Sequence, residues 1–127
     1  MEENNKIIAI ERAFRILETL FSSTEPMGLS EMSSVLGIPK VSTYRILYTL
    51  CECGAIEKGD DDRYHLGMIY LRYSERVRAD ITLNSLAEPH LMKLRDATQE
   101  TVNLSILYED YIVNLISFSG ESFLITS

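Results

Sequence analysis

Residues 29–54 constrain the fold most strongly, because they hold two helical patterns separated by only two or three residues. The first pattern, LSEMSSVLG, has Ser30 as its predicted N-cap and ends at Gly37, which suits the left-handed residue after a last turn. The second runs over residues 39–53, since a proline such as Pro39 is tolerated at the first helical position. Two helices joined by so short a glycine-containing turn predict a helix-turn-helix.

The second of these helices has two apolar-looking faces. One face carries no charge and is predicted to be buried in the core: Thr43, Ile46, Leu47 and Leu50. The other face is amphipathic: Val41, Tyr44, Arg45 and Tyr48. Because the Thr43 hydroxyl would be buried, we expect the substitution Thr43→Val to leave the free energy of unfolding unchanged or to raise it.

The amphipathic face has the side chains that the major groove of double-stranded DNA requires. Arg45 suits guanine, Val41 suits a thymine methyl group, and Lys40 and Ser42 at the helix start suit phosphates. No acidic residue lies between positions 31 and 52, so the surroundings are locally cationic. The predicted DNA-binding residues are Ser30, Lys40, Val41, Ser42, Tyr44, Arg45, Tyr48 and Arg63. The alternative is that the two tyrosines pack against neighbouring elements and Arg45 is only solvated.

The flanking segments complete a winged helix-turn-helix domain over residues 1–67. A first helix is predicted from Ile10, with one buried stripe of hydrophobic residues at helical spacing: Ile10, Ala13, Phe14, Leu17, Leu20 and Phe21. After Gly54, two short extended segments around the turn GDDD predict a hairpin, the wing. Three consecutive carboxylates at this wing tip would repel DNA phosphates, and Arg63 would compensate in part.

The second part of the chain predicts a linker helix over residues 68–81 and a new domain over 82–127. A helix from about Leu83 to Thr98 contains Pro89, which should kink or split it. Beyond Gln99 the periodicity becomes that of strands: two strands joined by a turn at positions 109–110, and a third after Gly120. The predicted fold class is therefore α+β, with antiparallel strands at the start of the second domain.

Composition and charge limit the classes of function. The net charge of −7 is concentrated after residue 78, where 2 basic residues face 7 acidic ones, whereas residues 1–78 have 10 and 12. No apolar run is long enough to span a bilayer, the chain opens without a signal peptide, and Cys51 and Cys53 are placed where they can hardly bridge, so we expect a reducing cytoplasm. No arrangement typical of a catalytic site, a cofactor or a metal site is present, and we predict no enzyme.

The chain resembles the IclR family of transcriptional regulators in AIERAFRILETL, in GLSEMSSVLGIPKVSTYRILYTLCECGAIEK, in RYHLG and in AEPHLMKLRDATQETVNLSIL. The resemblance implies a winged helix-turn-helix that binds a palindromic operator as a homodimer or a tetramer, a linker helix, and an α/β domain for a small-molecule effector. Family members are about twice as long, so residues 82–127 would be an incomplete effector domain. Val41, Ser42 and Thr43 depart from the usual order of serine, threonine and valine, which makes operator preferences of relatives a poor guide.

A different class of function remains open at this point. Winged helices also serve as dimerisation or protein-docking modules, and the acidic wing suits that role. Salt separates the two, because DNA affinity falls steeply with salt through counterion release, whereas a protein contact built on tyrosines should change little. The linker helix is either an ordinary surface helix or a connector that carries effector binding to the DNA-binding domain.

Overall fold

The computed structural model describes residues 3–120, and their contacts form two compact units with a boundary between Arg72 and Tyr73. The first unit contains, after a short 3-10 turn at Glu3–Asn5, the elements α1 (Ile8–Ser22), α2 (Leu29–Leu36), α3 (Lys40–Glu52), β1 (Ile56–Lys58) and β2 (Tyr64–Leu66). The two strands pair antiparallel with Ile56 opposite Leu66, and Met27 adds one bridge to Tyr64 on the other side of β2. The predicted winged helix-turn-helix is confirmed.

The helix-turn-helix is defined by backbone conformation at three positions. Gly37 has a left-handed φ of 66°, which glycine adopts without steric cost, and it ends α2 as predicted. Pro39 is the N-cap of α3 with an extended ψ of 145°, so α3 starts one residue later than predicted. The N-cap of α2 is Gly28 and not Ser30, which was wrongly predicted. The Gly28 N–H donates to Oε1 of Glu31 at 3.5 Å, so the glutamate caps the helix from its third position.

One hydrophobic core joins all five elements of the first unit. Its buried side chains come from the three helices, from both strands and from the isolated bridge at Met27: Ile16, Leu20, Met27, Met32, Leu47, Ile56 and Tyr64. Thr43 is also completely buried, while Ile46 and Leu50 are half-buried against this cluster. The predicted core face of α3 is confirmed.

The predicted buried stripe of α1 is wrong in part, because this helix has two apolar stripes. The stripe that faces the rest of the unit contains Ile16 and Leu20, of which Ile16 was missed. The other stripe is exposed: Ile10, Phe14 and Phe21 are 55%, 64% and 53% exposed. Only one side of a helix at the edge of a three-helix unit can pack against its own chain, so the second stripe stays at the surface.

The buried Thr43 hydroxyl is hydrogen-bonded. Its Oγ1 lies 2.9 Å from the carbonyl oxygen of Pro39 and 3.3 Å from that of Ile38. The Ser33 hydroxyl donates to the same Ile38 carbonyl, so two side chains bind the turn between α2 and α3. This arrangement reverses our expectation for Thr43→Val, since the hydroxyl is not an unpaired buried group but a donor to the turn.

We therefore expect Thr43→Val to lower the free energy of unfolding by about 0.5–1.5 kcal/mol, the net value of one hydrogen bond. The matched control is Thr49→Val. Thr49 makes the same type of bond on the same helix, from Oγ1 to the Arg45 carbonyl at 2.8 Å, but it is exposed, so water replaces the bond. Urea titrations of both variants measure the difference, and equal midpoints would contradict the role of Thr43.

The second unit is a helix on a two-stranded sheet. It holds most of α4 (Ile69–Ala79), which begins in the first unit, then α5 (Thr82–Thr98), β3 (Val102–Tyr108) and β4 (Tyr111–Phe118). The strands pair antiparallel with an irregularity at Leu104/Ser105, and Leu115 is buried. The helix α5 continues through Pro89, so the predicted split does not occur. The predicted third strand lies outside the described residues. None of the described helices is both long enough and apolar enough to cross a membrane.

Candidate nucleic-acid interface

The exposed face of α3 carries five of the eight predicted DNA-binding residues: Lys40, Val41, Tyr44, Arg45 and Tyr48. Val41 is 75% exposed, and the tyrosines are 49% and 57% exposed. The two tyrosine rings lie 6.3 Å apart with an interplanar angle of 36°. Side chains of this kind can offer a guanidinium, hydroxyls and a small apolar group to a partner at the same time. Both tyrosines are about half exposed, and they also line a cleft with residues of the wing.

A lysine of the wing, Lys58, belongs to the same surface and was missed in the sequence. It lines a cleft with Tyr44 and Tyr48, and its Nζ lies 5.7 Å from the centre of the Tyr64 ring. Tyr64 and then Asp62, which lies 3.4 Å away, raise the pKa of Lys58, so this group is cationic at neutral pH. The sequence places Lys58 only at the end of a strand, and the fold brings it beside α3.

The Arg63 side chain contacts residues at and just before the start of α2. Its Nη1 donates to the carbonyl oxygen of Pro26 at 3.2 Å and lies 3.8 Å from Oε1 of Glu31. The carboxylate of Asp62 is paired with Lys58 instead, and Asp61 accepts the Arg63 backbone N–H at 3.1 Å. The partial compensation of the acidic wing is therefore provided by Lys58. Both ion pairs are exposed and contribute little to stability.

Two of the predicted residues lie beside the exposed face of α3. Ser42 is half-buried and lines a cavity between α1 and α3 together with Arg45. Arg12 of α1 lines the same cavity. Ser30 is exposed in the first turn of α2, where backbone N–H groups have no partner within the helix.

The cysteines are not part of this surface chemistry. Cys51 and Cys53 are both free thiols, Cys51 half-buried and Cys53 exposed. Burial raises the pKa of the Cys51 thiol, so it is protonated at neutral pH and packs as a small apolar group.

Comparison with known proteins identifies the same segment. The sequence profile described as the IclR helix-turn-helix domain matches residues 9–60. The HTH-type transcriptional regulator KipR of Bacillus subtilis is 29% identical over 82% of this chain and 40% of its own length. The glycerol operon regulatory protein of Streptomyces coelicolor is 31% identical over 84% of this chain and 42% of its own length. This chain thus spans about 40% of the length of these curated relatives.

The fold agrees with that match. The crystal structure of an IclR family transcriptional regulator from Brucella abortus superposes with a TM-score of 0.75 over 93% of this chain and 45% of its own, at 21% identity. At that level of identity the likeness shows the fold alone. The helix-turn-helix of the structure, α2 and α3, lies within the residues 9–60 that the sequence profile matches. Residues 9–60 thus match the helix-turn-helix domain of the IclR family, and more than 80% of the chain is similar to transcriptional regulators of that family.

Proposed function

We propose that this protein is a sequence-specific transcription regulator that reads a palindromic operator with α3. The observation that carries the proposal is the exposed face of α3, which presents Lys40, Val41, Tyr44, Arg45 and Tyr48 and has no acidic side chain before Glu52. A helix fits the major groove of double-stranded DNA, where base edges offer acceptors, donors and thymine methyl groups. One face of α3 thus has chemical groups that complement the base edges in the groove.

The roles of the residues follow from their chemistry and position. Arg45 donates to a guanine, Val41 contacts a thymine methyl group, and the hydroxyls of Tyr44 and Tyr48 donate to bases or phosphates. Lys40 is placed at the start of α3, where its charge and the helix N-terminus both favour a phosphate. Ser30, Ser42, Lys58 and Arg63 complete the set as backbone contacts at the edges of the face.

A palindrome requires two copies of α3, and we propose a homodimer formed through α1. The exposed stripe Ile10, Phe14, Leu17 and Phe21 has spacings of four, three and four residues, the seam of a helix that packs along another helix. Leu17 is half-buried, and Phe14 at the centre of the stripe is 64% exposed. A second copy would cover these side chains and fix the distance between the two recognition helices.

Regulation by a small-molecule effector is proposed for a full-length form. The second unit places α5 and Arg95 against the hairpin, with the guanidinium 5.7 Å from the centre of the Phe118 ring. This is the start of the domain that the family resemblance assigns to an effector. The protein would act in the cytoplasm, where its operator lies.

The experiment that tests the proposal is the selection of bound fragments from a random DNA library with the intact chain. We expect a palindromic consensus with two half-sites about one helical turn, or a multiple of it, apart. Affinity for the consensus should fall steeply between low and moderate salt because bound counterions are released. A folded protein that enriches no sequence would contradict the proposal and favour a protein-docking role.

Lys40→Ala should weaken binding to all DNA sequences alike and reduce the slope of log affinity against log salt by about one. The reason is that Lys40 would contact a phosphate, which carries no sequence information. The matched control is Lys93→Ala, which removes the same charge from exposed α5 in the second unit and should leave the slope unchanged. A loss confined to the consensus sequence would mean that Lys40 contacts a base.

A further inference from the structure

The cavity between α1 and α3 has the size and lining of a small-molecule site. Its volume is about 480 Å³, within the range of roughly 300–1,000 Å³ that ligand pockets span. Its apolar wall includes Ala13 of α1 and Ile46 and Leu50 of α3. Ile46 and Leu50 are half-buried, so they border the core on one side and the cavity on the other. An apolar body placed here would pack against this wall.

The charge of the lining selects the sign of a ligand. Two arginines, Arg12 and Arg45, line the cavity, and no aspartate or glutamate does. Within residues 3–120, neither arginine has a carboxylate oxygen within 4.0 Å. The cleft between α3 and the wing differs in this respect, because Glu52 and Glu57 line it beside Lys58. Positive potential without an internal counterion therefore distinguishes the cavity between α1 and α3.

We propose that this cavity binds a small organic carboxylate with an apolar body. The carboxylate accepts hydrogen bonds from the guanidiniums of Arg12 and Arg45, whose planar fork matches a carboxylate. The apolar body packs on Ala13, Ile46 and Leu50. This places a ligand site in the DNA-binding unit itself, separate from the second unit.

Such a ligand would act on DNA binding directly. This consequence rests on the proposed function, in which Arg45 donates to a base. A guanidinium that holds the ligand carboxylate is withdrawn from the operator, so ligand and DNA compete for the same side chain. The ligand is therefore an antagonist of DNA binding, and no movement of a distant domain is required.

Titration of the intact chain with benzoate and hexanoate, followed by backbone amide shifts in NMR spectra, tests the site. Benzamide and hexanamide are the matched neutral probes, and inorganic phosphate is the probe without an apolar body. We expect each carboxylate to bind about tenfold more tightly than the matched neutral probe, because a hydrogen bond to a charged group is stronger than one to a neutral group. Its binding should shift the backbone N–H signals of α1 and α3. Equal affinity for acid and amide, equal affinity for phosphate, or shifts confined to other elements would overturn the proposal.

Substitutions at two positions locate the site. Arg12→Gln should weaken benzoate binding about tenfold, and Arg12→Lys should retain part of it because the charge is kept. Ala13→Phe, which fills the cavity, should abolish binding. The Arg12 variants keep the test decisive if Ala13→Phe does not fold, because Arg12 is partly exposed. Unchanged affinity in Arg12→Gln would overturn the proposal.

Competition is measured separately on the selected DNA fragment. Saturating benzoate should reduce its affinity, and benzamide should not. If no DNA is bound at all, the proposed function fails while the NMR titration still decides the ligand site. If DNA affinity is unchanged at saturating benzoate, the antagonist role is overturned.

Discussion

Phe14→Gln should convert the proposed dimer into a monomer and weaken binding to a palindromic operator by about 10²–10⁴-fold. In a dimer, binding of the second copy to its half-site is intramolecular and benefits from a high effective concentration. A monomer loses this gain in affinity, which is typically about 10²–10⁴-fold. Phe14 is the centre of the exposed stripe on α1, and a polar amide there would have to be buried without a partner. The substitution is neutral in charge, so it does not change the attraction to DNA phosphates.

Sedimentation equilibrium and operator titrations measure the two effects of Phe14→Gln. Because Phe14 is 64% exposed, its replacement should change the stability of the monomer little. The matched control is Val35→Gln on α2, which replaces a side chain of similar exposure, 62%, outside the α1 stripe. A dimer that persists in Phe14→Gln would show that the second copy binds elsewhere, and a monomer with undiminished operator affinity would contradict reading of a palindrome by two linked copies.

Arg45→Ala should weaken binding at the selected operator by about 1–3 kcal/mol per half-site, or about five- to 150-fold, with little effect on non-specific DNA. The guanidinium is exposed on the face of α3, and the structure gives it no carboxylate partner among the described residues. Its removal therefore leaves no buried charge behind, and the loss would report the contact to DNA. Competition between specific and random fragments measures the ratio.

Arg45→Lys is the matched control for this loss. It keeps the charge and removes the planar fork that can donate two hydrogen bonds to one guanine. We expect affinity for random DNA to be retained and sequence preference at one base pair to be relaxed. If Arg45→Lys and wild type have the same preference, Arg45 is a phosphate contact, and another residue of the face reads that base.

The sequence was a good guide where a local rule determines the structure. Gly37 was predicted to end a helix because glycine suits a left-handed residue after the last turn. In the structure, Gly37 and Gly54 follow α2 and α3 with left-handed φ angles of 66° and 80°. The wing was predicted from a turn between two short alternating segments, and the core face of α3 from a run of uncharged residues at helical spacing. The identity of the α2 N-cap was missed, because a serine is the usual capping residue and here Glu31 caps Gly28 from inside the helix.

The sequence was a poor guide where packing against a distant segment decides. Periodicity showed that α1 is apolar over a wide sector, but not that the chain covers only the part with Ile16 and Leu20. The positions of Arg12, Lys58 and Arg63 depend in the same way on neighbours far along the chain. Thr43 is an intermediate case. A hydrogen bond from a helical threonine to the carbonyl four residues earlier is a common local pattern, so it could have been predicted from the sequence. That the accepting carbonyl belongs to the turn between α2 and α3 is seen only in the structure.

The separation of the two faces of α3 has a consequence for the evolution of this protein. Thr43 and Leu47 are completely buried, whereas Val41, Tyr44 and Tyr48 are exposed, so none of these five side chains serves both folding and the proposed reading of DNA. Substitutions at exposed positions usually change stability by less than about 0.5 kcal/mol. New operator preferences are thus within reach of single mutations that leave the protein folded, and a library randomised at these exposed positions would yield retargeted regulators from one scaffold.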